Sequence, residues 1–393
     1  MIVTVEKEMS VTAGSATETA TVAGDPAALR AFVDREIAPR ASTWDEEERT
    51  DREHVTRLAD AGLLGMTLRL DVEGAEASTL DAARAIAEVA RGCGVSARII
   101  VDSNFGAVQI LDKFAPDEIR HRYLPHIRLG EKLVSIAITE PEAGSAANEL
   151  TTRAERMGDE IALYGTKRWI TGAGEREIYL VFARFDEVPG SAGVGAVLVE
   201  AETPGLRIGD REPTMGLRGL REGELHFEGC RVPAGNLIIE PGGFGKLMAA
   251  YNGQRVGASA VALGLARGSL EVAVQYAKDR EQFGRPIADY QAIQLLLADM
   301  AIQLDAAELL VERAANTNDR YGFPARYETS VAKTFASEAA IFVTNSAIQV
   351  LGGNGYSRHY RVERMARDAR MFTIGGGTTQ MQRLAVAAKL LAD

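Results

Sequence analysis

Apolar positions fall into three successive patterns along the 393 residues of the chain. From Asp25 to Arg128 they recur at helical spacing. Leu29, Phe32, Val33 and Ile37 share one face of a first segment, opened by Asp25-Pro26 with a capping carboxylate and a first-turn proline, and closed by Pro39. Further helices are predicted from Asp51 to Ala61, from Thr79 to Ala90 with Ile86 and Val89 inward, and from Val95 to Phe114, with a fifth opening at Pro116. The Val95–Phe114 segment is apolar on most sides, so its burial is predicted. Asp102-Ser-Asn104 interrupts it, and a buried carboxylate needs a partner or a task. A capped or kinked helix is the alternative reading.

From Leu133 to Pro241 the period becomes two. Val134–Ile138, Glu160–Tyr164, Ile178–Phe182, Val194–Val199 and Glu224–Phe227 read as strands, joined by turns into a small antiparallel barrel or sandwich. From Phe244 the pattern is helical again. Lys246–Arg280, Ala288–Asn316, Arg326–Leu351 and Gln380–Ala392 are long amphipathic segments suited to an antiparallel four-helix bundle. The fold class is therefore mostly α with a central β-domain. The expected units are a helical domain at 23–131, a β-domain at 132–241 and a helical domain at 242–393. Strands and helices do not alternate and no G-x-G-x-x-G follows a strand, which disfavours a Rossmann fold. Residues 1–22, rich in Ser, Thr, Ala and Glu, read as a mobile tail without the features of a signal peptide.

Charge narrows the partners. The net charge of −11, from 44 basic and 55 acidic residues, argues against nucleic acid or an anionic membrane. No run of eighteen apolar residues exists, so membrane insertion is not expected. Cys93 and Cys230 have no metal spacing and suggest no disulfide framework, which makes a reducing compartment, the cytoplasm, the default. His54, His121, His126, His226 and His359 are scattered, so no histidine metal centre is predicted.

The candidate chemistry lies in short motifs. Gly375-Gly-Gly377, followed by Thr378, Thr379 and Gln380, precedes an apolar helix. It reads as a backbone loop pressed on a ligand at a helix N-terminus, or as a flexible turn. The others are Ile138-Thr-Glu-Pro-Glu-Ala-Gly-Ser145, Lys167-Arg-Trp-Ile-Thr171, Arg280-Glu-Gln-Phe-Gly-Arg285, Asp289-Tyr-Gln291 and Gln349-Val-Leu-Gly-Gly-Asn-Gly355. In this order and spacing, over nearly all of the chain after the first twenty residues, they resemble the acyl-CoA dehydrogenase family. The resemblance implies FAD as cofactor and a homodimer or homotetramer. It implies Thr139, Ser145, Trp169, Thr171, Thr378 and Gln380 beside the cofactor. Arg280, Phe283, Gln291, Gln349, Gly352 and Gly353 would reach FAD across a subunit interface. It also implies Ser145, Asn252 and Arg255 at an acyl thioester, with Asn252 standing where Asp is frequent.

The resemblance breaks at the base. Most members abstract the substrate α-proton with a Glu just before the Gly-Thr of the C-terminal loop, while the β-hydride goes to flavin N5. That position is Gly376 here. A minority place the Glu just before the arginine of a middle helix, and that position is Gln254, which takes no proton at neutral pH. Three explanations follow. Asp102, at a helix position that lines the acyl pocket in the family, replaces the base. Alternatively, no base is needed, as for a β-keto acid that loses CO₂ in natural-product decarboxylase-dehydrogenases, with O₂ activation also open. In the third, the chain is a non-catalytic flavin-binding relative. The thioester is carried by CoA or an acyl carrier protein, and electrons leave to an electron-transfer flavoprotein or O₂. Glu142 reads as exposed, and Asp71-Val-Glu-Gly-Ala-Glu replaces a glycine-rich loop at the pocket's outer edge.

Overall fold

The computed structural model describes residues 22–392, so the expected tail at 1–22 lies outside the described residues except for Val22. The first helical unit comprises α1 (Pro26–Phe32), α2 (Ala41–Glu46), α3 (Arg52–Asp60), α4 (Thr79–Gly92), α5 (Gly94–Asn104), α6 (Ala107–Phe114) and α7 (Asp117–Arg128). Asp25 caps α1 by accepting from the backbone of Ala27 and Ala28. Pro39 does not close the first segment. It stands in the first positions of a new 3₁₀ turn, where its missing N–H costs nothing, and the chain stays helical through α2.

The predicted Val95–Phe114 helix is two helices. Gly106 breaks it with φ +63°. A Cβ there would also sit 2.6 Å from Gln254 Oε1, so the break brings backbone against a side chain of the later bundle. On that bundle helix, Gly253 and Gly257 lie against Phe105, and Gly257 also against Val101, closely enough that neither position accepts a Cβ without movement.

The sheet contains β1 (Val134–Ala137), β2 (Arg153–Met157), β3 (Glu160–Thr171), β4 (Ile178–Phe185), β5 (Val194–Glu200), β6 (Leu206–Arg211), β7 (Glu222–Pro233) and β8 (Leu237–Ile239). The path runs β6-β7-β3-β2-β4-β5-β8, with β1 also on β4. It is not wholly antiparallel. β1 runs parallel to β4 at Val134↔Ile178, and β2 runs parallel to it at Arg153↔Arg184. The two strands therefore follow one another along the same edge of β4, and the segment between them, 138–152, is pushed out of the sheet. That segment carries the Thr139–Ser145 motif. Strands β2, β6 and β8 were not predicted; β2 exposes most of its residues and gives little period-two signal.

A two-residue turn joins β9 (Glu281–Gln282) to β10 (Arg285–Pro286) beyond the first bundle helix. The bundle consists of α8 (Phe244–Asp279), α9 (Gln291–Ala315), α10 (Arg326–Leu351) and α12 (Thr379–Leu390), with an unpredicted short helix, α11 (Val362–Arg370). By length and composition α8 reaches the hydropathy of a membrane span, but 72% of its apolar window is buried within the fold. One apolar core joins α4 and α5 to α8, α9 and α10, including Ile86, Ile100, Val261, Met300 and Val343. The two helical units are therefore packed as one body, with the sheet on their flank.

Candidate active site

Strand β3 sets the first wall. Its register with β7 shifts between Lys167 and Ile170, and at this bulge Trp169 has φ +58°. A bulge re-aims side chains, and a non-glycine residue in the left-handed region marks a site where strain serves a purpose. Trp169 is turned outward and is 51% exposed. The Arg168 backbone N–H donates to Thr139 O at 2.8 Å, tying the extruded segment to the same place. Glu140 pins it further. Its carboxylate accepts from Lys167 Nζ at 2.8 Å, from the backbone N–H groups of Thr151 and Thr152, and from the Thr151 hydroxyl. Burial works against its charge, yet Lys167 and these donors hold its pKa down at about 2, and burial lowers Lys167 to about 8. Ser145 and Glu142 are exposed.

The second wall is the glycine loop. Gly376 and Gly377 have φ +72° and +89°. Their carbonyls are held from below. Arg255 Nε donates to Gly376 O at 2.9 Å, Lys333 Nζ donates to Gly377 O at 2.6 Å, and the Gln382 amide reaches both at 3.3 Å. The N–H groups of Gly376, Gly377 and Thr378 find no backbone acceptor among the described residues, so these donors are left to a ligand or water. Thr378 caps α12 through its hydroxyl and the Met381 N–H. No carboxylate lies within ion-pair distance of Arg255 or Lys333 among the described residues. Burial lowers Arg255 to about 10 and Lys333 to about 7. Asn252 is occupied at both ends: its carbonyl accepts from Arg255 and its amide donates to Pro324 O. It therefore orients Arg255.

Between the walls lies a buried ionic cluster. Asp102 Oδ1 accepts from Arg98 Nη1 at 2.5 Å and from Gln254 Nε2 at 3.0 Å. Arg176 Nη2 stands 3.7 Å from Asp102 Oδ2, but neither atom has a hydrogen-bond partner, and Arg176 Nε has none either. Orphaned polar atoms this deep call for a ligand or water. Glu222, the cross-strand partner of Thr171, accepts from the Thr171 hydroxyl at 2.8 Å. Burial pushes its carboxyl up to about 7. Burial likewise raises the phenol of Tyr251, whose ring lies 5.2 Å from the Arg255 guanidinium.

Asp102, Gln254, Arg255 and Gly376 are thus brought into one connected site, and Glu222 links that site to Thr171. The sequence reading missed Arg98, Arg176, Glu222 and Lys333. Arg98 had a signal: it lies four residues before Asp102 in an otherwise apolar helix, the spacing of a helical ion pair. Arg176 and Glu222 had none, because only the pairing of β3 with β7 brings them together.

Arg280, Phe283, Gln291, Gln349, Gly352 and Gly353 lie elsewhere. From Arg255 to Arg280 the chain follows α8, which places them about 37 Å apart at about 1.5 Å per residue. Arg280 and Asn354 share a cleft of about 580 Å³ with Tyr276, Tyr360 and Arg361. Phe283 (φ +53°) and Gly284 (φ +80°) form the left-handed β9–β10 turn, and Phe283 is 96% exposed. Gln380 lines a separate cleft with Thr378, Arg370 and Glu338.

This arrangement suits a flavoenzyme. An outward aromatic beside hydroxyl groups and a loop of free N–H donors suit a flat ring and a polar substrate. The chain belongs to the acyl-CoA dehydrogenase family: the N-terminal, middle and C-terminal domain models of that family match residues 26–131, 135–230 and 242–391. The chain is 46% identical to a 3-sulfinopropanoyl-CoA desulfinase of Paraburkholderia xenovorans, over 91% of this chain and 92% of that one. It is 38% identical to the rat mitochondrial short-chain specific acyl-CoA dehydrogenase, over 92% and 88%. It superposes on butyryl-CoA dehydrogenase from Megasphaera elsdenii with a TM-score of 0.90 at 32% identity, covering 97% of this chain and 100% of that one. The chain is an oxidoreductase-type enzyme, and its cofactor is FAD.

Proposed function

We propose that the enzyme removes an acidic group from a short acyl-CoA thioester, as the name of its desulfinase relative describes. The observation that carries this reading is the incompletely paired cluster of Arg98, Arg176 and Asp102 at Gln254. Arg98 and Arg176 stand where a substrate anion would be received, while both usual carboxylate base positions hold Gly376 and Gln254. An arginine fork suits a sulfinate or carboxylate. Asp102, held by Arg98 and Gln254, then positions the guanidinium and does not serve as base.

With 3-sulfinopropanoyl-CoA and water, the C–S bond breaks, C3 gains hydrogen and sulfur leaves as hydrogensulfite. The carbon gains the two electrons that sulfur loses, so no external acceptor is consumed. FAD bound against Trp169 and Thr171 supplies a two-electron acceptor at the reacting carbons. The N–H groups of Gly376 and Gly377 are arranged to receive the thioester carbonyl, where developing negative charge is best stabilised by fixed donors. Arg280 and Phe283, far along α8 from this site, would act on the cofactor of a second copy of the chain.

Purified holoenzyme with 3-sulfinopropanoyl-CoA and no electron acceptor should release sulfite and propanoyl-CoA in equal amounts. Absence of sulfite, together with anaerobic flavin bleaching by butyryl-CoA, overturns the proposal. A β-keto carboxylate would fit the same cluster and is distinguished by CO₂ release. A second reading, dehydrogenation with Asp102 as base, is favoured by one observation: Asp102 Oδ2 accepts no hydrogen bond. It requires an acceptor such as an electron-transfer flavoprotein or O₂.

A further inference from the structure

We infer that Glu222 is a specificity-determining proton switch: it takes up a proton when an acidic acyl group binds, so that the cluster's positive charge is left to the substrate. This rests on the acidic-acyl reading of the same site. Four ionisable groups share the cluster. Arg98 and Asp102 come from α5, Arg176 from the turn between β3 and β4, and Glu222 from β7. Tyr251 faces it from α8 and Thr171 from β3.

With all four charged, two guanidiniums meet two carboxylates and the cluster is neutral, so an incoming anion would find no net attraction. Only one of the carboxylates is firmly engaged. Asp102 is bound by Arg98 and approached by Arg176. Glu222 has a neutral hydroxyl as its hydrogen-bond donor, and among the described residues no Arg or Lys nitrogen lies within ion-pair distance of it. A half-buried carboxyl with one neutral donor is the group of the four that most readily gives up its charge. Burial already pushes it to about 7. A substrate anion between Arg98 and Arg176 removes the attraction that these cations exert on Glu222 and adds a negative neighbour, which raises it further. Above pH 7, binding is then coupled to uptake of one proton by Glu222.

The probes are succinyl-CoA, ionised throughout the range, and its neutral monoamide of the same shape, each bound anaerobically to the holoenzyme. Calorimetry at pH 8 in buffers of different ionisation enthalpy counts protons. The wild type should take up about one proton with succinyl-CoA and none with the amide, and its Kd for succinyl-CoA should rise about tenfold per pH unit above pH 7. Glu222→Gln, which keeps the shape and the bond from Thr171, should abolish the uptake and flatten the pH profile. No uptake in the wild type, or uptake that persists in Glu222→Gln, overturns the inference. If succinyl-CoA binds no better than the amide even at pH 6, the acidic-acyl reading itself falls, a result distinct from tight binding without proton uptake.

Discussion

Two ionic clusters adjoin strand β3, one through Lys167 and the other through Thr171, and they are built to opposite ends. The pair of Glu140 with Lys167 is closed: the carboxylate accepts four donors, the ammonium also reaches Ile138 O, and neither residue has an unpaired polar atom. The cluster of Arg98, Asp102, Arg176 and Glu222 is open: three of its nitrogen and oxygen atoms have no partner. A satisfied buried network rigidifies, whereas a partly satisfied one is costly unless something else completes it. The first therefore fixes the extruded 138–152 segment, and the second has polar atoms left for a ligand or water to satisfy.

The contrast is sharpest in what removal of one partner does. Lys167→Met leaves the Glu140 carboxylate buried without a counter-charge, and chemical denaturation should show a loss of about 3–5 kcal/mol. Arg98→Met, by contrast, leaves Arg176 near Asp102. Its stability loss should stay below about 2 kcal/mol. Its kcat/KM on an acidic acyl thioester should fall about 100-fold, or about 2.7 kcal/mol, with little change on a neutral one. Equal loss on both would erase the distinction between the clusters.

Asp102→Asn comes next. As a positioning change it should cost about tenfold in kcat/KM, whereas a loss of about 10²–10⁴-fold in kcat would identify a general base. A separate effect is expected in acid and neutral titrations of stability, where the clusters have opposite signs. Glu140 is held at about 2, below its ordinary 4.5. The unfolded chain binds the extra proton, so stability is lost as pH falls from about 4.5 towards 2. Glu222 is raised to about 7. The folded chain holds the extra proton between about 4.5 and 7, so its contribution falls as pH rises across that window. Glu140→Gln should remove the acid limb, and Glu222→Gln the neutral one. Urea midpoints measured from pH 2 to 8 separate them.

Much of this was legible before the fold. Helical periodicity located the long elements, and six motifs in register located the family. The departures at Gly376 and Gln254 were visible as letters. Among the strands that were missed, β2 exposes most of its residues and loses the alternation that marks burial. The open cluster was hidden for another reason: Arg176 comes from the turn after β3 and Glu222 from β7, and their meeting depends on the pairing of β3 with β7. Asn252, matched to the substrate by motif, also holds Arg255 and Pro324 within the fold, which the motif did not show.

The left-handed conformation of Gly376 also bears on the history of the site. A Cβ at this position would have space, since its nearest neighbour is Arg255 Cγ at 3.9 Å, but φ of +72° disfavours any L side chain. A glutamate restored there would carry backbone strain of about 1–2 kcal/mol. It would also place a carboxylate beside Arg255, which now has none. The obstacle to a carboxylate at this position is therefore the backbone conformation of the loop and not the space around it.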